Sequence, residues 1–318
     1  MRVEKLMSAE PGLDRCPELD GETDRIGGRG NEMKREEVRR TVIVALAADD
    51  ELGELLVLKG GNALGLVHQI GDRASLDVDY SIEGDFEDTD EVRRRIDRAL
   101  QAEFQRHGLR AFDVRMGVKP ELGNDPDLRP MWGGWAVEFK LVTLQNWTKY
   151  ESKPQKRRHV ALSLDGDKKA FQIDISKFEF VERAQTVEFE GYDLRVYSPA
   201  MIVYEKLRAL CQQLPEYPPV THPRPRPRDF VDIAAVLDDQ RSEVLKRTEL
   251  LLLVFQAKAV PTSWLKRLSE PSQYDFHEGA WTQVQQQLPR ARAFTYYYNL
   301  VIKFVEELES LGVVNSPT

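Results

Sequence analysis

The sequence predicts an α/β (α+β) chain in which a mixed sheet with interspersed helices precedes an α-helical half. Three observations predict it. Strand-like alternation recurs at Leu76–Ser81, near Phe112–Met116, Ala136–Leu144 and Phe171–Ser176; a helical apolar stripe separates the first of these from the second; and beyond about Val196 the pattern is mostly helical. The resulting organisation is a poorly ordered extension over residues 1–30, a core over 31–196 and a helical domain over 197–318. There is no internal repeat.

Up to about Gly30 the chain mixes Gly, Glu, Asp, Arg and Pro without periodicity, and no chemistry is assigned to it. Met33, Val38, Val42, Ala45 and Leu46 approximate helical spacing. Leu55–Leu58 then form a short apolar run that reads as a buried strand ending at Gly60-Gly61, and a helical stretch follows from Asn62 to about Ile70. In the next strand Leu76, Val78 and Tyr80 alternate with Asp77 and Asp79, so the acids share one face. Asp88 or Thr89 opens a helix whose apolar face is Val92, Ile96, Ala99, Leu100 and Phe104, with Gly108 at its end. In the strand Phe171–Ser176, Phe171, Ile173 and Ile175 face one side, leaving Asp174 on the other. Ser198-Pro199 supplies a cap and an N1 proline for a helix over Met201–Gln213. After a proline-rich link, a further helix starts at Asp229.

The 318 residues, 41% hydrophobic and 31% charged, have ordinary globular composition. A net charge of −8 argues against a protein that coats nucleic acid non-specifically, because such binding requires phosphate neutralisation. Lys149–Lys169 and the THPRPRPR run ending at Arg228 are locally basic, and each is either a solvated loop or part of a basic groove. No apolar stretch approaches the roughly 20 residues that span a bilayer, and the N-terminus lacks the apolar segment of a signal peptide, so the expected location is cytoplasmic, without membrane contact. Cys16 and Cys211 are far apart and are expected to be free thiols. The five histidines form no HxxxH or HExxH spacing, and GxSxG and GxxxxGK[ST] do not occur, so zinc hydrolases, serine hydrolases and P-loop NTPases lack support.

The pattern that carries chemistry is Gly60-Gly61, a helical stretch, then Arg73-x-Ser75-x-Asp77-x-Asp79. Two carboxylates at i and i+2 on a strand lie about 7 Å apart at Cα, close enough to converge on one hard cation. Magnesium suits them, since it accepts one or two carboxylates together with phosphate oxygens. A glycine pair before a helix lets backbone N–H groups approach a triphosphate, and the helix N-terminus adds positive potential. Arg73 is placed either to clamp a phosphate or to pair with the aspartates structurally. Taken singly, a DxD on a strand is an edge feature and a GG pair a turn; their ordered combination points to adjoining metal and phosphate sites.

The segment KGGNALGLVHQIGDRASLDVDYS resembles the first motif of the AbiEii/AbiGii-type nucleotidyltransferase toxins, relatives of the DNA polymerase β superfamily. Downstream, YSPAMIVYEKLRALCQQ resembles the family's lysine-bearing helix and RPRDFVDIAAVL its RDxxD segment. The resemblance spans roughly Lys59 to Leu237 and implies a polymerase β-like nucleotidyltransferase core with a mixed sheet and a C-terminal helical domain. It further implies Mg²⁺ (or Mn²⁺) bound by Asp77 and Asp79 with a third acid, either Asp174 or Glu138. Lys206 and Asp229 join the catalytic set. Gly60, Gly61, Asn62, Arg73, Ser75, Lys206, Arg228 and Asp232 are the nucleotide-binding candidates. Asp229 is alternatively only the N-cap of its helix, and Lys206 only a paired lysine. Asn62 stands where the superfamily commonly has serine, although an amide can also donate to phosphate.

The residues point to NMP transfer from an NTP to an acceptor; the resemblance implies that the acceptor is the 3′ end of tRNA and that the protein is the toxin of a toxin–antitoxin or abortive-infection (phage-defence) system with a cognate antitoxin as partner. Lys153, Lys156, Arg157, Arg158, Arg224 and Arg226 are the candidates for a basic groove holding RNA. The alternatives are the same chemistry on a protein hydroxyl, and a non-catalytic nucleotide- or partner-binding module.

Overall fold

A computed structural model of the chain describes residues 25–26, 33–71, 77–119, 133–163, 169–218, 220, 222–288 and 290–314. Most of the 1–30 extension, Cys16, Arg73, Ser75 and Leu76 lie outside them.

Seven strands form one mixed sheet. They are β1 (Val57–Lys59), β2 (Val78–Ser81), β3 (Leu109–Lys119), β4 (Gly134–Thr143), β5 (Phe171–Ser176), β6 (Gln185–Phe189) and β7 (Tyr192–Val196), in spatial order β3-β4-β5-β2-β1-β7-β6. The β2/β5 and β1/β7 pairs are parallel and the others antiparallel. Alternation gives the sheet two unlike faces. Leu58, Tyr80, Ile173, Ile175, Val137 and Phe139 are buried on one of them. Helix α1 (Arg35–Ala47) and helix α3 (Thr89–Arg106) pack against each other and share the same apolar cluster. Helix α2 (Asp50–Leu55) lies between α1 and β1 in sequence.

Local chemistry sets the ends of these elements. Glu37 at N3 of α1 accepts from the Lys34 N–H at 2.7 Å. Asp49 caps α2 by accepting from Leu52 N–H at 3.1 Å, and Asp88 caps α3 by accepting from Glu91 N–H at 2.9 Å. The buried strand expected at Leu55–Leu58 is displaced: Leu55 ends α2 at 47% exposure, and the strand begins at Val57. The expected helical stretch after the glycine pair is an α-turn, Gly60–Asn62, continued by a π-helical segment, Ala63–Val67.

The β6–β7 hairpin was not anticipated. Its two-residue turn is Glu190-Gly191, with φ of 51° and 87°, the geometry that follows the twist of paired strands.

In the helical half, α4 (Pro199–Cys211) starts as expected, with Ser198 Oγ accepting from Met201 N–H at 3.3 Å and Pro199 at N1. Every α4 residue except Glu205 is buried. Helix α5 (Pro227–Leu245) and helix α6 (Glu249–Gln256) pack against it, and α7 (Phe294–Ser310) packs against α5. Shorter helical segments occupy Thr262–Ser269, Pro271–Glu278 and Trp281–Gln287. Among the described residues no helix is long and apolar enough to cross a membrane. Cys211 is a buried free thiol whose pKa is raised by burial.

His277 anchors the start of α5. Fully buried between Phe230 and Phe276, it accepts from the Arg226 backbone N–H through Nδ1 at 3.0 Å. Burial pushes its pKa down to about 4, with Asp229 opposing and Arg226 reinforcing the shift. The unfolded chain takes up that proton near pH 6.5, so the stability from neutral His277 is present above that value and falls away as pH drops toward 4. The thermal midpoint is therefore expected to decline between pH 6.5 and 4 more steeply for the wild type than for His277→Gln. Parallel declines in both would contradict this role.

Candidate active site

Strand register places the site. Lys59 on β1, Asp79 on β2 and Asp174 on β5 are direct cross-strand neighbours, so their side chains emerge side by side on the face opposite the apolar one. Immediately after Lys59 the chain turns through Gly60 at φ +67°. A Cβ there would lie 2.9 Å from Asp79 Oδ2 and 3.4 Å from Asp79 Cβ, so only glycine permits both the turn and the approach of the acid. Gly61 and Asn62 are buried in the first turn that follows.

Asn62, 1% exposed, donates from Nδ2 to the Asp77 backbone carbonyl at 2.7 Å. The amide thus fixes the entry of β2, where Asp77 sits one residue before the strand, and Asn62 does not line the cleft in front of Asp79.

Burial, the largest influence, pushes the Asp79 carboxyl up to about 6; Asp174 and Asp77 push the same way, while Lys59 and Lys206 oppose. A carboxylate crowded by two others is a ready partner for a hard cation. Among the described residues no three His, Cys, Asp or Glu side chains already converge as a preformed metal cluster. One reason is visible at Asp174, whose two oxygens accept from Lys119 Nζ at 2.9 and 2.7 Å and one of which also accepts from Gln172 Nε2 at 2.7 Å. Glu138, the competing third acid, is exposed, aligned with Gln172 and absent from the cleft wall.

The cleft encloses about 1000 Å³, and among the described residues that line it Lys and Arg outnumber Asp and Glu by eight to five, although the chain as a whole is acidic. Its sheet side includes Gly60, Gly61, Asp79 and Asp174; its helical side includes Lys206, Arg226, Arg228 and Asp229. Lys206 Nζ is 2.9 Å from Asp229 Oδ1 and 2.8 Å from Asp232 Oδ2, all three side chains being buried. Arg226 Nε also pairs with Asp229. Burial alone would raise the Asp229 carboxyl, but Arg226 and Lys206 hold it well below the usual carboxylate range. Asp229 is not the N-cap of α5. The helix starts at Pro227 after Arg226, which places Asp229 inside the first turn. Arg228 donates to Gln287 and borders the cleft.

The expected basic groove divides. Arg224 and Arg226 line the cleft, whereas Lys153, Lys156, Arg157 and Arg158 do not. Arg158 instead pairs with Asp113 on the edge strand β3, with Nε 2.6 Å from Oδ2, and Arg157 stacks over Trp147 at 4.0 Å.

Sequence reasoning missed the charges beneath the cleft: Lys59, Glu179, Glu205, Arg208 and Lys258. Arg208, 2% exposed, forks onto Glu179 at 2.7 and 3.2 Å. Lys59 donates to Ser176 Oγ at 2.9 Å and lies 3.6 Å from Glu205. Lys258 donates to the Lys177 carbonyl at 2.6 Å, and burial pushes its pKa down to about 8 against the pull of Glu179. Burial acts to raise Glu179, yet Arg208, Lys59 and Lys258 bring it down to about 2. Lys59, next to the glycine pair, and Glu205, next to Lys206, were adjacent to recognised motifs; Glu179 and Lys258 carry no local signal.

Solved structures similar to the chain include a Helicobacter pylori protein assigned as a nucleotidyltransferase, at 18% identity over 87% of this chain and 96% of that one, with a TM-score of 0.49. Another is JHP933 from Helicobacter pylori, at 18% identity, coverage of 89% and 97%, and a TM-score of 0.46. MenT4, a nucleotidyltransferase toxin from Mycobacterium tuberculosis H37Rv, is 12% identical, with coverage of 88% and 86% and a TM-score of 0.41. No functionally curated protein matches the sequence. The profile of the nucleotidyl transferase AbiEii toxin family, type IV toxin–antitoxin system, matches residues 42–297. This match covers both the strand-borne acids and the cationic helices, and the chain belongs to the AbiEii nucleotidyltransferase toxin family.

Proposed function

We propose that the protein transfers NMP from an NTP to the 3′ end of tRNA in the cytoplasm, as the toxin of an antitoxin-controlled, phage-defending abortive-infection pair. The observation that carries the chemistry is the packing of the Asp79 carboxylate against Gly60, in one cleft with Lys206 and Arg228. Asp77, Asp79 and Asp174 would hold Mg²⁺ (or Mn²⁺), which when bound offsets charge on the reacting phosphate and favours ionisation of the acceptor hydroxyl. Lys119 has to leave Asp174 for that acid to take part.

The chain's own groups do the rest. The turn at Gly60-Gly61 presents backbone N–H groups to the triphosphate. Lys206, held by Asp229 and Asp232, and Arg228 supply fixed positive charge where pyrophosphate develops. Arg224 and Arg226 border the route by which an RNA phosphate backbone approaches. In the transfer, the acceptor oxygen bonds to the α-phosphorus as the bond to pyrophosphate breaks. Arg73 and Ser75 are proposed to complete the phosphate contacts.

Incubation with labelled NTPs, Mg²⁺ and total tRNA is expected to label RNA. Label confined to a protein band would favour a protein acceptor, and no label with any NTP would contradict the proposal. Asp79→Ala is expected to lower transfer by on the order of 10²–10³-fold or more and to relieve growth inhibition; undiminished toxicity would favour a non-catalytic module. Gly60→Ala is expected to cost about 1–3 kcal/mol through its left-handed backbone and to displace Asp79. The folded variant should then bind Mn²⁺ weakly, and wild-type Mn²⁺ affinity would count against the proposed packing.

A further inference from the structure

Along α4 and its C-cap, Glu205, Arg208, Ala209 and Gln212 fall at i, i+3, i+4 and i+7, and all four line the cleft. A helix otherwise packed inside the protein therefore shows the cleft a polar stripe with a small residue in its middle. The stripe is oriented by its neighbours. Gln212 donates from Nε2 to Tyr217 Oη at 2.9 Å, and Tyr217 Oη in turn donates to the Lys258 carbonyl at 3.1 Å. Arg208 is committed to Glu179. Glu205 differs: among the described residues both of its ion-pair partners, Lys59 at 3.6 Å and Arg208 at 3.5 Å, reach the same oxygen, Oε1. Oε2 remains as an acceptor on the one α4 residue that is not buried.

We propose, resting on the nucleotidyltransferase reading above, that this stripe receives the base of the NTP and that Glu205 selects bases carrying an exocyclic amine. A carboxylate only accepts hydrogen bonds. Cytosine and adenine offer it an amino N–H, and guanine offers two adjacent N–H groups. Uracil has no exocyclic amine: where that amine would sit it sets its O4 carbonyl against the carboxylate. Its one donor on that edge, N3–H, lies between two carbonyls, so bonding through it brings a carbonyl oxygen toward the carboxylate at a cost that charged acceptors make large. Ala209 leaves the room beside Glu205 and Gln212 that a planar ring occupies. Lys59 and Arg208 hold the carboxylate through Oε1, which positions it and leaves Oε2 for the base.

The test is equilibrium binding of the four α,β-methylene NTP analogues in Mg²⁺ to the full chain, to Glu205→Gln and to Gln212→Leu, with melting curves for each. The CTP, ATP and GTP analogues are expected to bind the wild type at least about tenfold more tightly than the UTP analogue. Glu205→Gln, which can also donate, should reduce that gap to about two- or threefold. Equal wild-type binding of all four would overturn the base assignment alone, whatever the variants do. A uniform loss across the four in a destabilised Glu205→Gln would assign Glu205 to charge balance and also overturn it. Binding of none of the four would remove the nucleotide reading and this inference with it.

Discussion

The approach of Asp79 to the backbone of residue 60 constrains the whole site. Asp79 Oδ2 lies 2.9 Å from where a Cβ of residue 60 would be, and residue 60 has a φ of +67°, so the close approach and the left-handed turn both favour glycine there. That turn ends β1 and starts the helical segment Gly60–Asn62, whose two glycines line the cleft. Register then does the remaining work. Because β1, β2 and β5 are adjacent and aligned, Lys59, Asp79 and Asp174 are neighbours without any loop having to bring them together.

Charge is arranged around this constraint in opposing layers. The sheet contributes crowded acids, and Asp79 carries the cost as a raised pKa. The helical half contributes cations, three of them tied to carboxylates: Lys206 to Asp229 and Asp232, Arg226 to Asp229, and Arg208 to Glu179. Isolated buried charges of either sign would be costly, and pairing them fixes their positions. A chain with net charge −8 can in this way present a cleft in which cations outnumber acids. The arrangement suits a substrate that is itself a polyanion chelating a divalent cation.

Much of this was legible in the sequence, for physical reasons. β5 was placed at its ends because Phe171, Ile173 and Ile175 alternate with polar residues, and α3 and α4 were legible because Asp88 and Ser198 cap strong apolar stripes. Asp79, Asp174, the glycine pair and Lys206 were legible because each belongs to a pattern with a local meaning. Leu55 was misplaced because four apolar residues in a row hide a helix end followed by a short strand. The β6–β7 hairpin was missed although QTVEF and YDLRV alternate about Glu190-Gly191; the turn lacks Asn-Gly or Asp-Gly. The Glu179–Arg208–Lys258 cluster was not legible, because it joins Glu179 to Arg208, 29 positions on, and to the still more distant Lys258 through tertiary packing alone. The partners of the basic run near Lys153–Arg158 were not legible for the same reason: sequence gives charge, whereas Asp113 and Trp147 come from the folded sheet edge.

The central claim is that the acids at the start of β2 and the glycine turn form one metal–triphosphate site. The most direct measurement is a crystal structure of the chain with an α,β-methylene NTP and Mn²⁺, located by its anomalous signal. The account predicts Mn²⁺ between Asp77 and Asp79, with the triphosphate against Gly60-Gly61. Manganese bound elsewhere, or a triphosphate remote from that turn, would contradict it.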